Sequence, residues 1–394
     1  MQQPTSAFAS VEKEKVFFPN LDGLRFFSFF AVFLYHTYLT FFNNVKEHNP
    51  GTYSVVESLF QNGNLGVNFF FVLSGFLITF LLIKEKSFKG TIHVPNFYIR
   101  RILRIWPLFY LCLFIGFVVF PIIKQYTGGT PNEIANPIYY VFFANNFDFM
   151  HSWPVKPDAT ILSVLWSVAV EEQFYLTWPV ILMIVPYKYY KYVFLSIMAL
   201  SLVFRSFYTG LDDHDFGVRY FHTFSLIGDM AFGGLLAYYC SFDSAFRRFI
   251  TNLNRLQIAM IYLGAITVSI FRADLFTINP VAVVVERLVI AFFYGMIIAE
   301  QCYAERSFFK MGKFKTISKL GIYTYGLYCL HLLGFLVADV VLSKAGMDKT
   351  SVTMAVAASV LAFVVSIVIS LASYHLYEKW FLRLKDKFAF IVKK

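Results

Sequence analysis

Gly66-Val-Asn-Phe-Phe-Phe-Val-Leu-Ser-Gly-Phe-Leu-Ile-Thr-Phe-Leu-Leu-Ile83 runs for eighteen residues without one ionisable side chain. A helix rises about 1.5 Å per residue, so roughly 20 apolar residues cross the ~30 Å hydrocarbon core of a bilayer. This stretch therefore reads as a transmembrane helix. Nine more stretches of similar character flank it, at about 24–42, 105–123, 162–185, 191–208, 220–240, 257–271, 281–300, 322–342 and 353–375. The expected fold is an all-α polytopic membrane protein with about ten transmembrane helices.

Composition agrees with that reading. Of 394 residues, 58% are hydrophobic and 15% are charged, against about half and about a quarter in soluble domains. The 49 Phe and 25 Tyr carry more apolar area than one soluble core hides. Lipid removes the difficulty, because the outside of the bundle is then also free to be apolar.

Lys and Arg set the orientation. Most of the 34 lie in alternate segments: the N-terminal tail with Lys13 and Lys15, the stretch from Lys84 to Arg104, the loops beginning near Lys188, Arg247 and Arg306, and the C-terminal tail from Lys379. Both termini are thus expected in the cytoplasm, which requires an even number of spans. The divisions follow: 1–20 a cytoplasmic N-terminal tail, 21–382 a transmembrane domain, 383–394 a basic cytoplasmic tail. Residues before Asn20 are polar and of mixed charge, unlike a cleavable secretory leader. The net charge of +10 is accounted for by positive loops against anionic lipid, without nucleic acid. Cys112, Cys240, Cys302 and Cys329 sit in or beside spans with no metal-type spacing, so neither a disulfide framework nor a metal site is expected.

Ionisable residues inside spans are costly and mark function or a buried pair. Arg25 and His36 are eleven residues apart, which brings them within about 20° of the same helix face and about 16 Å apart along it. One face thus joins a cationic cytoplasmic mouth to an imidazole deep in the bilayer; the simpler alternative for His36 is a neutral ring hydrogen-bonded in the bundle. Glu171 and Glu172 lie about 14–15 Å from the opposite surface, close to the level of His36. One of them is expected to orient His36 as half of a general-base pair, the other to pair with an arginine or stay protonated. Asp229 and His331 also fall near mid-depth, where they bind acceptor hydroxyls or complete a buried network. Glu286 and Arg287 read as a local charge pair. Arg101 and Arg104 are neighbours on a helix surface, and arginines there suit the phosphates of a nucleotide-containing donor as well as ordinary positive-inside topology. The loop at about 124–161 is rich in Pro and Gly, with an apolar middle, Ile138 to Phe143, suited to the membrane interface.

Five motifs in order resemble the integral-membrane acyltransferase-3 family. They are Leu21-Asp22-Gly23-Leu24-Arg25 with His36 after ten intervening residues, the second-span run from Gly66 through Ser74-Gly75, Phe97-Tyr98-Ile-Arg100-Arg101-Ile-Leu-Arg104-Ile-Trp-Pro107, Trp166-Ser167-Val-Ala-Val-Glu171-Glu172-Gln173-Phe-Tyr175, and Tyr325-Gly-Leu-Tyr328-Cys-Leu-His331 followed by Ser373-Tyr374-His-Leu-Tyr-Glu378. The resemblance runs from about residue 20 to 382. Asn68 stands where many members carry an acid, and the first span is unusually rich in Phe, which reads as a packing variation.

The resemblance implies transfer of an acyl group, usually acetyl, to hydroxyls of cell-surface glycans, lipopolysaccharide, peptidoglycan or small glycosides in a bacterial inner (plasma) membrane. It implies His36 as the central catalytic residue, with Arg25, Arg101 and Arg104 serving the acyl-CoA co-substrate and Arg100 beside them. Glu171 and Glu172 join the catalytic set; Trp166, Tyr175, Asp229 and His331 support it or meet the acceptor. No permanently bound cofactor is expected. Some members carry a C-terminal periplasmic esterase-like domain; twelve residues follow Leu382 here, so the chain is expected to finish the reaction alone or with a separate periplasmic acyl-handling protein. His36 either deprotonates the acceptor for direct attack on the thioester or carries the acyl group itself. The competing reading is a proton-coupled transporter or flippase of a glycan or lipid precursor, with the same buried acids and histidines as a relay.

Overall fold

The computed structural model describes residues 18–388. The predicted tails of residues 1–20 and 383–394 therefore fall largely outside the described residues, as do Lys13, Lys15, Lys393 and Lys394. Among the described residues the structure is helical throughout, with no strand. Every one of the ten apolar stretches is a helix: α1 (Pro19–Thr37), α2 (Gly66–Lys89), α3 (Val94–Phe114), α4 (Trp166–Ile184), α5 (Tyr190–Ser206), α6 (Thr223–Phe242), α7 (Arg255–Ile270), α8 (Pro280–Tyr303), α9 (Thr324–Lys344) and α10 (Val352–Ser373). By length and composition six helical segments are able to cross a membrane, or seven if the bent pair Ser244–Thr251 and Arg255–Ile270 forms one span. Helices α4 to α6 are 17–20 residues long and are not among the six; two of them carry the buried acids, which lower their hydropathy.

Local chemistry sets the helix ends. Asn279 caps α8 by accepting from Ala282 N–H, with Pro280 supplying a preset φ at the first turn. Asn254 and Gln257 form a reciprocal capping box at the start of α7. Ser351 caps α10. The connection after α3 folds back over the bundle: Lys124 pairs with Asp158 at 2.5 Å, and Glu133 accepts from the Ala135, Asp158 and Ala159 N–H groups. The Asn132 N–H and Lys124 hold the Asp158 carboxyl below the usual carboxylate range. The apolar middle of this connection forms a short helix, Pro137–Val141, that buries Tyr140 and turns Ile138 and Phe142 outward.

Helix α2 is the hub, packing most extensively on α6. The contact is a backbone crossing. A Cβ on Gly75 would stand 2.0 Å from the Met230 carbonyl oxygen, and one on Gly233 would stand 2.1 Å from that of Val72. Small residues at both crossings let the helices approach at this distance, as dispersion-driven packing in lipid requires. Gly75→Ala should cost about 3 kcal/mol or more, because backbone rather than a movable side chain blocks the methyl. Gly51, with nothing within 4 Å of its position, is the control. Thermal midpoints in detergent check it: the idea fails if Gly75→Ala melts with Gly51→Ala.

Candidate active site

A cavity of about 280 Å³ opens among α1, α2, α3, α4 and α9. The first turns of α1 supply Asp22 and Arg25; α3 supplies Arg101 and Arg104 one turn apart; α4 supplies Ser167, Glu171 and Tyr175; α9 supplies Tyr325 and Tyr328. Gly321 closes one wall, its Cα so near Asp22 that a Cβ would lie 1.9 Å from the Asp22 carbonyl oxygen. Three guanidinium groups and two carboxylates thus border one space.

Each charge has a defined setting. Arg25 Nη1 donates to Asp22 Oδ1 at 2.7 Å. Arg101 lies over the rings of Phe97 and Tyr175, at 5.4 and 5.2 Å from their centroids, and its buried Nε has no partner. Arg104 is exposed at the rim, with no ion pair or hydrogen bond among the described residues. Glu171 is tied into the wall: Ser74 donates to Oε1 at 2.7 Å and Tyr175 to Oε2 at 3.0 Å.

Arg100 points elsewhere. It bonds Glu85 at 3.3 Å and the Phe388 carbonyl at 2.8 Å, and it does not line the cavity. One residue from Arg101, it faces about 100° away on the helix. Glu172 likewise leaves Glu171 behind: its Oε2 accepts from the Trp106 indole at 3.0 Å, and its Oε1 is buried without a partner. Trp166 packs against Phe71, Tyr220 and Phe221 beyond the cavity wall.

His36 is half-buried on α1, and among the described residues no hydrogen bond or ion pair joins it to Glu171 or Glu172. The expected carboxylate–imidazole pair is not formed. Its neighbour is His331 of α9, with ring centroids 5.1 Å apart. An equal count of residues along two helices does not set the direction in which a side chain faces. His331 is fully buried in a cage of Phe29, Phe33 and Phe335, at 5.7, 6.4 and 5.9 Å. The Phe-rich first span supplies two of those rings, Phe29 and Phe33. His331 Nδ1 lies 2.8 Å from the Tyr328 carbonyl oxygen, which only accepts, so Nδ1 carries the proton. Nε2 is then a bare acceptor, buried and without a partner. Tyr328, one turn earlier on α9, has its ring 6.2 Å from His331 and its hydroxyl 2.7 Å from Ser167 Oγ, where both border the cavity. The two histidines therefore stand directly behind the cavity's inner wall.

Asp229 is not in this site. It meets Arg287 Nη2 at 2.5 Å and the Asn68 amide at 3.3 Å, fully inside the bundle. The local Glu286–Arg287 pair is overturned: Glu286 instead bonds Arg205 and Arg272. Consecutive residues on a helix face different ways, so each finds a partner on another helix. Sequence reading missed Ser74, Ser167 and Tyr328 as cavity residues, although the i, i+3 spacing of Tyr325, Tyr328 and His331 puts them on one helix face. The four cysteines are free. Among the described residues one group has metal-like spacing, the outward-facing Asp212, His214 and Asp215, but Asp212 already caps a helix and Asp215 accepts from Gly210 N–H.

Comparison with known proteins bears on this arrangement. A family model described as an acyltransferase domain matches residues 18–374. A Staphylococcus aureus (strain COL) protein named "Putative O-acetyltransferase" is 29% identical over 244 residues, 59% of this chain and 36% of its own length. The S. aureus (strain NCTC 8325 / PS 47) O-acetyltransferase OatA is 32% identical over 186 residues, 45% of this chain and 27% of its own length. The matched stretches thus span about a third or less of these relatives. No solved structure matches the chain.

Proposed function

The chain belongs to this acyltransferase family, and on that premise we propose that it is a multi-pass enzyme of the bacterial inner (plasma) membrane, with about ten spans and both ends in the cytoplasm, that moves an acyl group, acetyl in the first instance, from acyl-CoA to a hydroxyl of a cell-surface glycan or glycoside. The observation that carries the reading is the cavity itself: it is bordered by Arg25, Arg101 and Arg104 at one end and by Tyr328, against the His36–His331 pair, at the other.

Arg101 and Arg104 hold donor phosphates, for which the planar, permanently charged guanidinium is suited. The thioester reaches past Glu171 and Tyr175 toward His36. The imidazole of His36 takes the proton of the acceptor hydroxyl as its oxygen attacks the thioester carbonyl; the C–S bond breaks and the coenzyme A thiolate leaves, to be protonated by the imidazolium. His331, whose bare Nε2 has no partner in the resting structure, is the group placed to take the His36 N–H and orient the ring once the acceptor docks. Glu171, bound to Ser74 and Tyr175, shapes the passage and balances the arginines. A separate periplasmic acyl-handling protein is a further partner to test.

Two expected results check this. Purified protein in detergent, given labelled acetyl-CoA and extracted envelope glycans, should label the glycan; donor binding without any transfer to glycan or to water would reject the enzyme reading in favour of a transporter. Arg104→Gln should raise the KM for acetyl-CoA about 10–100-fold with little change in kcat, since a charge-assisted bond contributes about 1.5–3 kcal/mol. An unchanged KM would remove Arg104 from the donor site.

A further inference from the structure

A second cavity, of about 210 Å³, lies at the other end of the bundle. Arg205 closes α5, Glu286 and Arg287 open α8, and Arg219 and Arg272 come from the segments between these spans. Four guanidinium groups border this space, with Glu286 the one carboxylate among its lining residues. The function proposed above leaves all of them unused.

Their hydrogen bonding leaves donors over. Arg205 spends four of its five donors on the Val283 and Val284 carbonyls, Ser225 and Glu286. Arg219 uses only Nη1, on the Tyr208 and Gly210 carbonyls. Arg272 bonds Glu286 through Nε and Asn64 through Nη1 at 3.5 Å. Arg287 spends Nη2 on Asp229, while its Nε is buried with no partner; the side chain is only 9% exposed. Each guanidinium offers five donors in a flat fork matched to a phosphate or carboxylate. A buried, unpaired guanidinium donor in a space crowded with positive charge is a cost that an anion removes.

The position of the cavity says which anion. Asn62 borders it, and Asn64 reaches Arg272; between them Gly63 packs so closely on α1 that a Cβ there would stand 3.0 Å from Tyr35 Cβ. Tyr35 adjoins His36. Tyr220, also on the lining, packs with its ring tilted at 5.2 Å from that of Trp166 of α4, whose next residue, Ser167, borders the first cavity. Contacts through Tyr35 and Trp166 thus link the surroundings of the second cavity to the two helices that carry His36 and the wall of the first cavity.

Resting on the acyl-transfer reading, we propose that this second cavity is the acceptor's site, and that it selects acceptor sugars bearing an oxyanion, a phosphate or carboxylate, gripped by Arg219, Arg272 and Arg287. Glu286 acts there as an internal anion that holds Arg205 and Arg272 in place until the acceptor arrives.

The test is equilibrium dialysis of labelled glucose 1-phosphate against the full chain in nanodiscs made only of phosphatidylcholine. Binding is expected to be saturable, uncompeted by glucose or acetyl-CoA, and weakened about tenfold by Arg272→Gln or Arg219→Gln, the loss of one charge-assisted contact. Glu286→Gln is expected to tighten it several-fold, a gain that misfolding cannot mimic. No saturable binding to folded protein, or equal affinity in Glu286→Gln and Arg272→Gln, overturns the proposal. Displacement of the probe by phosphatidylglycerol added to the nanodiscs, with no effect of soluble inorganic pyrophosphate, would make this a lipid-headgroup site and overturn it too. Binding with the expected pattern but no acetyl transfer would sink the acyltransferase reading and leave the anion site standing.

Discussion

The His36→Ala variant is expected to lose acyl transfer by about 10²–10⁴-fold, the usual contribution of a positioned general base, while melting close to the parent. The imidazole is half-buried at the end of a well-packed helix, and its neighbour His331 keeps its own bond to the Tyr328 carbonyl whether or not His36 is present. Little structural support is therefore withdrawn. What is withdrawn is the imidazole beside His331, at 5.1 Å between ring centroids. His331→Gln should give a smaller loss, because it removes the group that orients the base rather than the base. Initial rates with labelled acetyl-CoA, measured beside thermal midpoints, decide it. Transfer by His36→Ala at the parental rate would exclude both direct and acyl-histidine routes; a large drop in midpoint would make His36 a packing residue.

Asp229→Ala carries the largest expected effect on stability, a loss of about 3–5 kcal/mol, the range for removing one member of a buried ion pair. The Arg287 side chain is buried to within 9% of its surface, and Asp229 is its anionic partner. Asn68, which also donates to Asp229, supplies no negative charge to replace it. Arg287→Ala should cost a similar amount by stranding the acid. The double variant should lose much less than the sum of the two, because no unpaired charge remains. Unfolding midpoints in dodecyl maltoside for the four proteins test this cycle. Additive losses, or single variants as stable as the parent, would show that the pair is not coupled.

Particular residues show how much was legible beforehand. Gly66–Ile83 needed no structure to be read as helix, and neither did the other apolar stretches, since hydropathy depends only on order along the chain. The cationic character of Arg101 and Arg104 and the special standing of His36 were equally visible: ionisable groups among apolar neighbours announce themselves. Glu171, Tyr175 and Arg25 were singled out and do border one cavity. Arg100, Glu172 and Trp166, each adjacent in sequence to a lining residue, do not. The error has one source, which is that neighbours in sequence face about 100° apart on a helix, so a motif read as a unit splits in space.

The sequence by itself determined the class of molecule, the places of its ten apolar helices and the residue types that bring charge into them, because each depends on composition and on local periodicity. Only the tertiary structure decided the partners: His331 rather than a glutamate beside His36, Arg287 on Asp229 rather than on Glu286, and four arginines gathered round one outlying cavity. Such pairings depend on the rotation of each helix about its axis and on where glycines such as Gly75 and Gly233 let two backbones cross. Those are properties of packing between segments far apart in the chain, and depth along a single helix does not contain them.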